Sequence, residues 1–301
     1  MLFPTLNIAT TIVEGELFRQ KELSLSVLRL DTIHPVVSGN KLFKLHYFLQ
    51  HAIREAYEGI TTFGGAYSNH LVATASACRE AGLKCTGIIR GESPLVLSPT
   101  LNACVEYGMV LKFISRQEYD RKESPAFLKE LMQADPHHLL VPEGGYDPMG
   151  ASGAALIMDF INRQVSHICV AIGTATTFAG LLGVCKKGQR IIGIPVLKNL
   201  DDMEKRMAFL TKQPIATGMF EIKNDYHFGG YAKKTAGLIQ FMNKLFDEHQ
   251  VPTDFVYTGK MMYAVFDCIE KDFFPKGSKI VCIHTGGLQG NLSLPPGTLV
   301  F

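Results

Sequence analysis

Two lysines, Lys41 and Lys44, stand one helical turn apart in "VSGNKLFKLHYFLQ" (residues 37–50), directly behind a Gly-Asn pair. The apolar residues Leu42, Leu45, Phe48, Leu49, Ala52, Ile53 and Ala56 recur at helical spacing. Asn40 is of the right type to cap the helix they predict. Both lysines then fall in the first turn, on one side. A helix N-terminus is electropositive, so cations have the wrong sign there. Two solvated lysines account for the segment when it is read alone. The sharper reading puts an anion at that helix end and gives one amine a chemical task. The helix by itself does not decide.

Other glycine-bearing turns follow β-branched runs. "FGGAYSNH" (63–70) places Ser68 and Asn69 at a helix start, and "PEGGYDPMGASG" (142–153) carries Gly144, Gly145, Gly150 and Gly153. "AIGTATTFAGLL" (171–182) offers Gly173, then the hydroxyls of Thr174, Thr176 and Thr177, then a helix. Backbone N–H groups, hydroxyls and a helix dipole together suit a phosphate. The loop matches neither common nucleotide-binding glycine pattern. "VYTGKMM" (256–262) and "IHTGG" (283–287) are similar turns. Ordinary turn chemistry explains any one of these loops in isolation. The histidines show no metal-ligand spacing, and no G-x-S-x-G elbow occurs.

The elements that must position these loops read as α/β. Strands are predicted at 25–30, 61–64, 85–90, 110–115, 138–143, 167–173, 190–196, 255–259 and 279–286. Helices are predicted at 69–81, 119–134, 150–162, 176–186, 232–248 and 260–271. Alternation of this kind implies largely parallel sheets, and so many strands suit two of them. Sites in such sheets lie beyond the carboxyl ends of the strands. The chain has 301 residues, 47% hydrophobic and 19% charged, with a net charge of +2 and scattered basic residues. That suits a globular protein and excludes a nucleic-acid surface. Seven cysteines form no C-x-x-C and read as buried apolar residues in a reducing compartment. The N-terminus lacks the pattern of a signal peptide. The uncharged stretch 165–185 is long enough to cross a membrane, but its glycines and threonines favour strand, turn and helix. The expected location is cytoplasmic.

Six motifs, "SGNKLFK", "GGAYSNH", "AIGTATTFAGL", "GGYAKKT", "VYTGK" and "IHTGG", occur in that order. Together they resemble the D-cysteine desulfhydrase and 1-aminocyclopropane-1-carboxylate (ACC) deaminase family. These are pyridoxal-phosphate enzymes of the tryptophan-synthase-β type, fold type II. The resemblance runs from about residue 20 to the C-terminus. It implies that Lys41 bonds covalently to the cofactor and that Lys44 approaches its phosphate. It likewise assigns Asn69 to the pyridoxal 3-oxygen and Ser68 to the reacting face. Gly173, Thr174, Ala175, Thr176 and Thr177 match the family's G-[ST]-G-G-T phosphate cradle. Tyr231 and Tyr257 match substrate-side tyrosines, and Thr285 would lie near the pyridine nitrogen.

The sequence also departs from the family. Ser38 replaces a glycine, Phe43 an arginine and Tyr67 a glutamine. Ala175 and Thr176 stand where two glycines are usual, so a positive φ there would be costly. Thr258 stands where ACC deaminase proper has a glutamate. The architecture implied is two open, twisted parallel-sheet domains with helices on both faces and the cofactor in the cleft between them. Residues 1–44 plus 148–301 would form the larger domain and 45–147 the smaller. Family members are usually homodimers.

In the reaction the resemblance implies, a freed Lys41 amine removes the α-proton of a small amino acid and a β-leaving group departs. A glutamate at the pyridine nitrogen would hold it protonated, whereas a threonine hydroxyl at 258 cannot at neutral pH. Thiol elimination from D-cysteine is therefore favoured over opening the cyclopropane ring of ACC. ACC or D-serine deamination is the alternative on the same scaffold. A phosphate-ligand binding protein without catalysis, or a structural α/β protein, are readings of a different class. Preference for D over L substrates rests on the resemblance alone.

Overall fold

β-Branched runs buried on both faces make the strands here, and capped amphipathic segments make the helices between them. In the computed structural model, residues 6–198, 201–212 and 218–301 are described. Residues 1–5 of the segment assigned to the larger domain lie outside them. The chain begins with β1 (Thr10–Val13), α1 (Glu16–Gln20), β2 (Ser24–Arg29) and α2 (Asn40–Arg54). It continues through β3 (Gly59–Gly64), α3 (Asn69–Ala81), β4 (Lys84–Arg90), α4 (Pro99–Glu106), β5 (Met109–Ile114), α5 (Arg116–Tyr119), α6 (Pro125–Ala134) and β6 (His138–Val141). Next come α7 (Pro148–Ala155), β7 (His167–Ile172), α8 (Thr176–Gly183), β8 (Arg190–Pro195), α9 (Met203–Thr211) and β9 (Phe220–Ile222). The last elements are α10 (Ala236–His249), α11 (Thr258–Glu270) and β10 (Lys279–His284).

Two sheets result. The larger has the order β1-β2-β10-β7-β8-β9 and the smaller the order β5-β4-β3-β6. Every described pairing is parallel except β1 with β2. Helices cover both faces, as expected of parallel sheets. In β7, Ile168, Val170 and Ile172 pack under α7 and α8, while Cys169 and Ala171 face α11. In the smaller sheet one face packs under α2, α3 and α4, and Phe63 and Ile88 turn to Tyr119 and Phe127 on the other. The uncharged stretch 165–185 is β7, a turn and α8. Among the described residues, no helix is long and apolar enough to cross a membrane.

Several elements differ from the sequence reading. Residues 255–259 form no strand. The Asp254 carboxylate accepts the N–H groups of Val256, Tyr257 and Thr258, which removes the donors a ladder needs and starts α11. The helix expected at 119–134 is split into α5 and α6, because Pro125 at the first turn of α6 begins a new helix. Helix α4 was missed although Ser98-Pro99 is a legible start, with the Ser98 hydroxyl accepting the Leu101 N–H. The short edge strands β1 and β9 were also missed. Asn40 is not the N-cap of α2. Gly39 takes that place at φ 69°, and Asn40 is the first helical residue.

Glycines set the distances between the helices under the larger sheet. A methyl on Gly153 of α7 would overlap the Phe43 carbonyl oxygen of α2, and one on Gly180 of α8 would overlap the Ala151 carbonyl oxygen of α7. Backbone therefore meets backbone along α2, α7 and α8, and the start of α2 is held beside the start of α8. Gly153→Ala should destabilise the fold by about 1–3 kcal/mol, as overpacking does. Gly183→Ala, at the end of α8 with open space around it, should be neutral or stabilising by up to about 1 kcal/mol. Urea denaturation of both variants checks the contrast. Equal effects would show that the close approach carries no constraint.

Candidate active site

Most of the loops that carry the candidate residues leave the carboxyl ends of parallel strands, while Tyr257 precedes α11. Ser68 and Asn69 follow β3, Glu143 to Gly145 follow β6, residues 173–175 follow β7, and Thr285 follows β10. The segment after β2 ends at Gly39, where α2 starts. The two sheets present these edges to one another. Asn69, from the smaller sheet, donates from Nδ2 to the Gly287 carbonyl oxygen of the larger at 3.1 Å.

Gly39 lies so close to the turn after β10 that a methyl on it would overlap the Thr285 carbonyl oxygen. The same oxygen accepts the Asn40 N–H at 3.0 Å. Asn40 then links three candidates. Its Oδ1 accepts from the Lys41 Nζ at 2.8 Å, and its Nδ2 donates to the Thr177 Oγ1 at 2.8 Å. Asn40 is thus a positioning residue that the sequence reading treated only as a cap. Lys41 keeps partial solvent access, yet its amine lies deep enough that burial lowers its pKa to about 8, against the opposing pull of the Asp254 carboxylate. Lys44 is buried, and its Nζ donates to the Gly144 carbonyl oxygen at 2.9 Å. Burial, and then the Lys41 charge, hold its pKa well below the ordinary lysine value. Among the described residues neither amine pairs with a carboxylate.

The cradle curls at the start of α8. Ala175 takes the N-cap position in the left-handed region at φ 66°, a conformation that disfavours a residue with a side chain by about 1–2 kcal/mol. Thr176, the other departure, is the first residue of α8 and bears no such strain. Thr174 and Thr176 share a hydrogen bond between their hydroxyls at 2.9 Å, so one hydrogen of the pair is taken internally. The Thr177 hydroxyl accepts from Asn40 and keeps its own hydrogen to donate. Gly144 faces the Thr174 side chain. The remaining departures fit without strain. Phe43 is buried, edge-on to Phe160, and neither Ser38 nor Tyr67 has a positive φ.

Ser68 caps α3 by accepting the Leu71 N–H at 3.3 Å, which leaves its hydrogen free. The Tyr257 ring lies against Gly173, with its Cε1 3.1 Å from where a methyl would stand. Tyr231 meets Tyr257 edge-on at 6.0 Å, and the two hydroxyls interact. Tyr231 is 53% exposed, but its hydroxyl end turns inward. Burial raises the pKa of both phenols, and Tyr231 adds to the shift at Tyr257. Both are therefore protonated at neutral pH. Thr258 is the first residue of α11. It is fully buried, and its hydroxyl donates to the Asp254 Oδ1 at 2.7 Å while accepting the Asp254 N–H. Thr285 sits beside Gly39 at the start of α2.

Three further polar residues escaped the sequence reading. Asp254 is fully buried and gathers the start of α11; an Asp four residues before a Thr was the available signal. Lys260 is fully buried beneath the loop that bears Tyr231. His70 receives no direct signal from its spacing. Thr62 donates to the Val141 carbonyl oxygen and so accepts from the His70 Nε2, which leaves Nδ1 buried without a partner. Burial, then the Lys41 and Lys44 charges, push the His70 pKa well down and keep it neutral.

A family model described as pyridoxal-phosphate dependent enzyme matches residues 10–286. The chain belongs to this family. It is 30–31% identical over 275 to 283 residues to three curated relatives. One is the mitochondrial bifunctional D-cysteine desulfhydrase/ACC deaminase of Arabidopsis thaliana, matched at 30% over 283 residues, covering 84% of this chain and 70% of that protein. A further relative is the D-cysteine desulfhydrase of Salmonella paratyphi A, matched at 28% over 299 residues, covering 89% and 88%. A crystal structure of an ACC deaminase homologue superposes with a TM-score of 0.79 at 26% identity, covering 97% of this chain and 92% of that one. Pyridoxal phosphate is thus the cofactor of this enzyme and fold type II its architecture.

The residues present fit that group. Two lysine amines at one helix start without a carboxylate partner suit an anion, and the phosphate is one. The start of α8 offers unpaired backbone donors to it. The Asn69 Oδ1 is buried without a hydrogen-bond partner, an orphaned atom facing the cleft side of α3. A hydrogen bond to a charged oxygen is worth about 1.5–3 kcal/mol. Thr177→Val should therefore weaken cofactor affinity by about tenfold or more, read as cofactor lost on dialysis. Unchanged retention would place the phosphate elsewhere. A pH prediction follows from Lys41. Its pKa in the fold lies below that of the unfolded chain. Between about pH 8 and 10 the unfolded chain binds the extra proton, so this group makes the fold more stable as pH rises. Cofactor-free protein should gain stability relative to Lys41→Met over that window, by at most about 1.4 kcal/mol per pH unit. A pH-independent difference would show that the amine is not buried as described.

Proposed function

We propose that the enzyme catalyses β-elimination from D-cysteine, which with one water gives pyruvate, sulfide and ammonia, with Lys41 as the lysine that carries the cofactor. When bound, pyridoxal phosphate supplies the electron sink that makes the substrate α-hydrogen acidic. The chain's own groups do the rest. The Lys41 Nζ, with a pKa about 8, is a usable base near neutral pH, and Asn40 aims it. Tyr231 and Tyr257, both held protonated, line the side where a thiolate would leave and can hand it a proton. Ser68 keeps a free hydroxyl hydrogen at the same cleft. In this reading residues 45–147, built on the smaller sheet, contribute Ser68 and Asn69, and the rest of the chain contributes the amine, the cradle and the tyrosines.

The observation that carries the choice of substrate is the state of position 258. A threonine there, with its hydroxyl committed to Asp254, presents no carboxylate to hold the ring nitrogen protonated. Asp254 itself is saturated, since each carboxylate oxygen accepts two donors. The ring is then a modest sink, adequate for expelling a thiolate and less suited to breaking the carbon–carbon bond of ACC. ACC deamination is the second reading, favoured by the relative that carries both activities in its name. A homodimer in a reducing, cytoplasmic compartment belongs to the same reading, and the seven free cysteines support the reducing compartment.

A product screen with D- and L-cysteine, D-serine and ACC should yield sulfide and pyruvate from D-cysteine and little 2-oxobutyrate from ACC. The reverse pattern would overturn the assignment. Borohydride reduction of the holoenzyme followed by peptide mapping should place the pyridoxyl label on Lys41, and label on Lys44 or Lys260 would refute the role given to Lys41. Tyr257→Phe should slow elimination by about a hundredfold or more while retaining the cofactor band. Thr258→Glu is expected to destabilise the fold, because it sets a second carboxylate against the buried Asp254.

A further inference from the structure

Lys260 is fully buried, and the chemistry above makes no use of it. Its ammonium donates to two backbone carbonyl oxygens of one loop, that of His227 at 2.9 Å and that of Gly230 at 2.8 Å. The loop needs an anchor. Phe228 at φ 52°, Gly229 at 93°, Gly230 at 118° and Ala232 at 54° all lie at positive φ, and two of the four are not glycine. Gly229 and residues 231–237 are exposed, so little packing holds this segment from outside. Between the clamped carbonyl of Gly230 and the strained Ala232 stands Tyr231.

Lys260 lies one turn into α11 from Tyr257, the tyrosine that Tyr231 touches. One rigid helix start therefore fixes both partners of the pair. It carries Tyr257 directly, and through the Lys260 ammonium it grips the loop that carries Tyr231. Asp254 completes the arrangement. It accepts the N–H groups at the start of α11, and its negative charge favours the charged form of Lys260. An ammonium held in the interior without a carboxylate bonded to it is costly, and a residue that only filled space would not need it.

We propose that Lys260 is a positioning residue that holds Tyr231 against Tyr257 by clamping the carbonyl groups of the 227–230 loop from beneath. The role of Tyr231 in catalysis rests on the function proposed above, whereas the clamp does not, and the experiment separates them. Hydrogen exchange by mass spectrometry is measured on holoenzyme with Lys260→Met, a change of similar volume. Peptides covering residues 227–234 should exchange about tenfold faster, while those of α3 and α8 stay as in the parent protein. Cofactor content should be unchanged. Loop exchange equal to that of the parent would overturn the clamp, whatever the substrate proves to be.

The kinetic arm uses sulfide release from D-cysteine in a double-mutant cycle. Lys260→Met should lower kcat/KM about tenfold when Tyr231 is present and less than about twofold in a Tyr231→Ala background. Equal losses in both backgrounds would show that Lys260 does not act through Tyr231. If no background turns over D-cysteine, the proposed substrate fails and the exchange arm still decides the clamp. If Lys260→Met does not fold, Lys260→Gln, which keeps a shorter donor, is read by the same two measurements. Its loop exchange should lie between the parent and a released loop, and parent-like exchange would overturn the proposal.

Discussion

The contact on which the rest depends is backbone against backbone, where Gly39 meets the turn after β10. No side chain fits between them, and Gly39 adopts a φ of 69° that only glycine takes without penalty. The Asn40 N–H closes on the Thr285 carbonyl oxygen from the same turn. This pins the start of α2 at the carboxyl edge of the larger sheet. The glycines of α7 and α8 then fix how far α2 stands from the cradle. The Lys41–Asn40–Thr177 chain of hydrogen bonds spans a gap whose width these approaches set.

Electrostatics explains why such a tightly set site tolerates two buried lysines. Each depresses the pKa of its surroundings, and burial opposes both charges. The cofactor-free fold carries this as a standing penalty, opposed in part by Asp254. Binding an anion removes the penalty and, by mass action, stabilises the fold in proportion to the logarithm of cofactor concentration over its dissociation constant. Lys44 also donates to the Gly144 carbonyl oxygen in the loop after β6, so this amine ties the start of α2 to the smaller sheet.

Much of this was legible in the sequence because it is local. Helix α3 matches its expected bounds, and eight of the nine expected strands exist, since apolar β-branched runs and turn glycines act over a few residues. The glycine-threonine turn before α8 and the Gly-Asn-Lys turn before α2 were visible for the same reason. What escaped depends on distant partners. Asn40 has the residue type of a cap, but Thr177, far along the chain, recruits its side chain. Residues 255–259 look like a strand until Asp254 captures their N–H groups. Thr258 was read against the glutamate of ACC deaminase proper, and only the fold shows that its hydroxyl bonds to Asp254. Lys260 carries no local sign of the loop it holds. The motif order nevertheless identified the family that residues 10–286 match.

Helix α2 serves both halves of the molecule. Phe43 in its first turn packs into the core of the larger sheet, and Leu45, Phe48, Leu49 and Ala52 pack into that of the smaller. The boundary drawn at residue 44 therefore falls inside an unbroken helix, which cannot fold like a hinge. It can act as an axle. Turning the smaller sheet about that axis would sweep Ser68 and Asn69 through an arc, while Lys41, at the end of the shaft, would hardly travel. The Asn69–Gly287 hydrogen bond would limit that arc. Lys41 would then be the near-stationary point, and Ser68 and Asn69 the residues that travel.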